Sequence, residues 1–116
     1  MDIEMFRAFC LSLQGTTEDL KWGQHLCFLM HEKIYVIASL DEGTISFKCD
    51  PEEFNDLVAR DGIRQAAHFA KGQWITLQDI EVVTDSELKS LINRSRTLVL
   101  AKLPRKLQAL YLPEIT

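Results

Sequence analysis

The chain has 116 residues, 47% hydrophobic and 26% charged, with a net charge of −4. That length and balance fit one globular domain, exclude a disordered chain, and remove the need for a metal or disulfide staple. A pI of about 5.3 argues against a generic nucleic-acid binder, and no apolar run nears the roughly 20 residues of a membrane span.

Ile3, Phe6, Cys10 and Leu13 recur at spacings of 3, 4 and 3, the stripe of an amphipathic helix. Asp2 is its expected N-cap, and Gly15 ends it. Residues 16–22 alternate weakly and read as a short edge strand, with Leu20 and Trp22 on one face. Residues 26–30 and 34–40 are apolar runs of strand length, rich in Ile, Val, Tyr and Phe, and His31-Glu32-Lys33 joins them as a hairpin. Asp41-Glu42-Gly43 makes the next turn. In the strand that follows, Ile45, Phe47 and Cys49 point one way and Thr44, Ser46 and Lys48 the other.

Asp50-Pro51-Glu52-Glu53 reads as a helix start, with Asp50 capping and Phe54, Leu57 and Val58 inward. Residues 63–72 read as irregular, and residues 74–77 as the last strand. Thr84-Asp85-Ser86-Glu87 is a capping box opening a long helix with Leu88, Leu91, Ile92, Leu98 and Val99 inward. Pro104 breaks that helix and starts a short terminal one. Helices before and after a run of hairpin strands predict an α+β, two-layer domain: about five antiparallel strands against N-terminal and C-terminal helices. Residues 1–116 are read as one domain.

Three cysteines, Cys10, Cys27 and Cys49, lie inside apolar segments without Cys-x-x-Cys or zinc spacing, as buried free thiols do. With no basic and apolar leader after Met1, a cytoplasmic protein without a membrane partner is expected. His25, His31 and His68 show no metal pattern, and all three are read as exposed or structural. There is no nucleophile elbow and no Gly-rich phosphate loop. No enzyme constellation and no cofactor are therefore indicated.

The charge is unevenly spread. Residues 1–60 carry 5 basic against 11 acidic side chains, and residues 61–116 carry 8 against 6. Between Leu88 and Pro113 there are six basic residues and no acid, including Arg94, Arg96, Arg105 and Lys106. This run predicts a basic C-terminal face for an anionic surface, although cations near a helix C-terminus also complement its dipole. Trp22 and Trp74 suit stacking on a base or ligand, or burial in the core. Lys71-Gly72-Gln73-Trp74 suits a phosphate or base contact, or an ordinary loop entering a strand.

The succession Ser12-Leu13-Gln14-Gly15, Trp22-Gly23, Ser39-Leu40-Asp41 and Ser46-Phe47-Lys48-Cys49-Asp50-Pro51-Glu52 resembles the MmcQ/YjbR family. So do the segments from His68 to Leu77 and from Leu98 to Leu107. The resemblance implies a frataxin-like (CyaY-like) α+β fold and a double-wing DNA-binding role. It places Lys48, His68, Lys71 and Trp74 on the family's motif. Ala70 stands where the family has Asn, and Gly72-Gln73 where it has a basic residue and His, so polar and positive groups are missing from that loop.

Three binding roles follow as expectations. The first is DNA, through the Lys71 loop and the basic C-terminal helix. The second is a protein or small-ligand partner on the sheet face near Trp22 and Trp74. The third, by frataxin-like analogy, is weak iron binding by Asp2, Glu4, Glu18 and Asp19.

Overall fold

The structure, a computed structural model, describes residues 1–111. In chain order the elements are α1 (Ile3–Ser12), β1 (Thr16–Lys21), β2 (His25–Met30), β3 (Lys33–Ser39), β4 (Ile45–Lys48) and α2 (Phe54–Val58). They continue with β5 (Ile63–Gln65), β6 (Trp74–Leu77), α3 (Asp85–Leu100) and α4 (Arg105–Gln108), ending in a 3-10 turn over Ala109–Tyr111. The strands form one antiparallel sheet in the order β1-β2-β3-β4-β6-β5. This is the α+β class expected, with six strands rather than about five. The added strand, β5, lies in the stretch read as irregular: three residues leave no room for a visible alternation. Among the described residues no helix is long and apolar enough to cross a membrane.

Local chemistry explains the helix ends. Asp2 caps α1 by accepting the Met5 N–H at 2.8 Å, and Thr84 caps α3 by accepting the Glu87 N–H at 3.1 Å. Contrary to the expectation from sequence, Asp50 does not cap α2; residues 51–53 form turns and the helix starts at Phe54. The Asp50 carboxylate instead accepts two bonds from Arg94, at 2.7 and 2.8 Å. His31 and Glu32, both at positive φ, form the two-residue turn between β2 and β3, in which each central residue must be left-handed. His31 is not simply solvated: its Nε2 lies 2.8 Å from the Tyr111 hydroxyl.

The core lies between the sheet and the helices. Phe28, Met30, Val36, Phe47, Ile75 and Leu77 point toward α1 and α3, where Phe6, Leu88, Ile92 and Leu100 meet them. Burying side chains of this size contributes about 1.5–3 kcal/mol each. Phe6 and Phe28 pack edge to face at 5.7 Å.

A bulge interrupts the β2–β3 ladder: Phe28 pairs with Val36 and Leu29 with Ile34, leaving Tyr35 over. The Tyr35 carbonyl accepts a bond from the fully buried Ser95 hydroxyl at 2.6 Å, and the same hydroxyl accepts the Lys48 N–H at 2.9 Å. Thus α3 closes the ladder where β3 and β4 stop pairing, just beyond Val36↔Phe47. The cysteines are buried, Cys10 and Cys49 in the main core and Cys27 in a smaller cluster, and burial pushes the Cys10 thiol up to about 12 and Cys49 up to about 11.

Three arginine–carboxylate pairs tie distant segments: Arg7 with Glu18, Arg60 with Glu87, and Arg94 with Asp50. Bonds from the guanidinium groups hold all three carboxyls below their usual pKa. A group whose folded pKa is depressed adds stability that is fully present above its unfolded value, near 4, and is lost as pH falls through the folded value. The urea midpoint should therefore be steady from pH 7 to about 5 and fall below about pH 4. The pairs are partly exposed, so each contributes little and high salt should flatten the fall. A midpoint that rose on acidification would contradict this assignment.

Candidate functional site

Among the described residues, one face of the sheet carries no helix. Its outward row on β2 and β3 holds Cys27, Leu29 and Ile37, a small apolar cluster of its own. The loop of residues 66–72 folds over part of this cluster. Phe69 packs on it and stacks on Trp74, with ring centroids 4.4 Å apart and planes 22° apart. The Gln65 amide pins the loop, donating to the Ala66 carbonyl at 2.8 Å and accepting the Gly72 N–H at 2.9 Å.

Beside this cover the sheet is open, and a groove of about 630 Å³ crosses it. Its floor carries hydroxyls: Ser46 and Thr76 are cross-strand neighbours whose oxygens lie 2.7 Å apart. Trp22 forms the wall at the β1–β2 turn, and His68 with Phe69 forms the other wall. The His25 ring meets Trp22 edge to face at 6.0 Å, and its buried Nδ1 has no hydrogen-bond partner. Arg64 enters from β5 and is in no ion pair among the described residues. Glu42, at the β3–β4 turn, is the acid of the lining.

Trp22 and His68 share an uncommon backbone state, with φ of +49° and +68°. Non-glycine residues in this region carry a cost that persists only where the surroundings impose it. Trp22 does so with 68% of its surface exposed, so packing does not account for its presence there. It sits in the turn, not on a strand as the sequence reading had it. Large exposed aromatics at a concave rim are what a ligand-binding pocket uses.

The residues expected to contact nucleic acid are scattered. Lys48 and Trp74 line a second hollow of about 360 Å³ with Lys33 and Lys102. Burial, and then the Lys102 charge, lower the Lys48 pKa. Lys71 is exposed at the loop tip, and Arg105 and Lys106 are exposed on α4. Arg94 lies in an acidic hollow with Asp50, Glu53, Asp56 and Glu87. Arg96 is 1% exposed, which corrects its inclusion in the basic C-terminal face. Its guanidinium donates to the Gln14 carbonyl and faces the Tyr111 ring at 5.7 Å. It thereby supplies the cation that the C-terminal end of α1 lacks. Arg96 is thereby lost from the expected basic face and Arg94 is paired with Asp50, while Lys102, Arg105 and Lys106 are exposed at its C-terminal end.

The acids weighed for iron are dispersed too. Asp2 caps α1, Glu18 holds Arg7, and among the described residues no three His, Cys, Asp or Glu side chains gather to hold a metal.

The family model YjbR matches residues 11–98, a span that runs from the end of α1 through most of α3. The chain belongs to the YjbR family. The fold is shared with solved structures at low identity. Deinococcus radiodurans protein DR2400, described as a DUF419 domain, superimposes with a TM-score of 0.84 at 22% identity, over 98% of this chain and 91% of that one. A protein from Pseudomonas syringae superimposes with a TM-score of 0.68 at 24% identity, over 82% of this chain and 96% of that one. No curated protein matches the sequence. In this YjbR chain the groove draws on residues the sequence reading passed over, Arg64, Ser46 and Thr76 among them. The polar outward alternation of Thr44, Ser46 and Lys48 was their one signal, marking a sheet side not covered by a helix.

Proposed function

We propose that the protein is a small-molecule-binding module whose site is the groove on the helix-free sheet face. One observation carries this reading: an exposed tryptophan held at positive φ on the rim of a concave, hydroxyl-floored groove of about 630 Å³. That volume lies within the usual range of ligand pockets, about 300–1,000 Å³.

A second observation favours a DNA reading. Lys33, Lys48 and Lys102 surround the smaller hollow with no acid among its lining residues. Mutual repulsion there would be relieved by phosphates, and binding would weaken steeply with salt.

Amide-resolved NMR separates the two. Titration with ring-containing fragments should shift His25, Ser46, Thr76 and Phe69, while a short DNA duplex leaves them unmoved. Shifts caused by duplex at Lys48, Lys102 and Lys106, fading as salt rises, would transfer the function to the lysine hollow. Fragments that left the groove amides unmoved would end the first reading.

A further inference from the structure

Resting on the groove reading, we infer that its ligand is an organic anion, with a flat apolar body and an acidic group held by Arg64. Five of the six arginines in the described structure divide cleanly. Arg7, Arg60 and Arg94 hold carboxylates, Arg96 is buried against the Gln14 carbonyl, and Arg105 lines none of the three hollows described above. Arg64 alone lines the groove, and it is in no ion pair among the described residues.

The sheet register builds a donor row around it. Ser46 pairs with Thr76, and Thr76 pairs with Arg64, so the three are consecutive neighbours across β4, β6 and β5. The two hydroxyls own two protons, and their mutual bond uses one. The other is available to an acceptor beside the guanidinium fork, which itself matches carboxylate or phosphate oxygens in two-pronged geometry. The opposite end differs in sign and shape. His25 on β2 lies four strand spacings from Arg64, roughly 19 Å at the usual strand separation. Trp22 stands over that end, and Glu42 repels an anion from it. The charges thus set one direction: acid group toward β5, apolar body toward Trp22.

Two fluorescent probes test this with the full chain. Anilinonaphthalene sulfonate is an aromatic anion, and phenylnaphthylamine is the same ring system without the sulfonate. Affinities come from fluorescence, and the site from amide shifts. The sulfonate should bind at the groove roughly tenfold or more tighter than its neutral analogue, the effect of a charge-assisted pair. Arg64→Gln, an exposed and conservative change, should erase that advantage, lowering the sulfonate's affinity far more than the neutral probe's. Near-ultraviolet circular dichroism confirms that the variant is folded. If both probes bind in the groove equally well and Arg64→Gln changes neither, the anion assignment fails and the groove reading stands. If neither probe moves the amides of Ser46, Thr76 and Phe69, the groove reading falls and this inference with it.

Discussion

Ser95→Ala is expected to lower the free energy of unfolding by about 2–4 kcal/mol, because one hydroxyl satisfies two buried backbone groups. Its proton goes to the Tyr35 carbonyl and its lone pair takes the Lys48 N–H. The bulge makes this repair necessary: with Tyr35 left over, β3 and β4 part company just where helix α3 passes above them. Alanine would fit the space but leave a donor and an acceptor in a site with no exposure at Ser95. Urea denaturation of Ser95→Ala against Ser90→Ala, an exposed position on the same helix, isolates the effect. The control should stay within about 0.5 kcal/mol of the parent. A Ser95→Ala loss below about 1 kcal/mol would mean that the two backbone groups find each other or water.

Gly15→Ala should cost a comparable amount, about 2–4 kcal/mol, from two sources. Gly15 has φ of +79°, where a side chain is strained, and a Cβ there would stand 2.8 Å from Tyr111 Cε1 and 2.9 Å from Cζ. The Tyr111 ring has little room to yield, since it accepts the Arg96 cation on its face and its hydroxyl meets His31. The two sources separate in a double-mutant cycle. In a Tyr111→Ala background, Gly15→Ala should retain only the backbone part, about 1 kcal/mol. Strict additivity of the two changes would contradict the steric contact.

These two positions show where reading along the chain succeeds and where it stops. Helix α1 was legible from its 3-4-3 apolar spacing and α3 from Thr84-Asp85-Ser86-Glu87, because both signals are local. The hairpins were legible for the same reason. Strand β5 was not, since Ile63–Gln65 is held by pairing with β6 rather than by a pattern of its own. Arg94 and Arg96 read as one basic patch because they are close in sequence. At 100° per residue, however, two positions apart on a helix is about 200° of rotation, and one points out while the other points in. The groove was the least legible feature. Its Trp22, His25, Ser46, Arg64 and Thr76 come from separate turns and strands and meet only through the sheet order. The aromatic ring of Trp22 is plain in the sequence, but its left-handed backbone and exposure depend on the turn it occupies.

The burial of the three cysteines equips the chain with its own clocks of local opening. Cys10 on α1 and Cys49 at the end of β4 are closed off within the main core, whereas Cys27 lies in the separate cluster on the helix-free face near Phe69. A disulfide reagent reacts only when the cover over a thiol lifts, so the three modification rates separate partial opening from complete unfolding. Cys27 lies in the apolar cluster beneath the loop of residues 66–72, so its rate follows the motion of one groove wall. A ligand seated in the groove would slow Cys27 and leave the rates of Cys10 and Cys49 unchanged unless the whole fold is stabilised. The occupant of the groove thus becomes measurable before it is known.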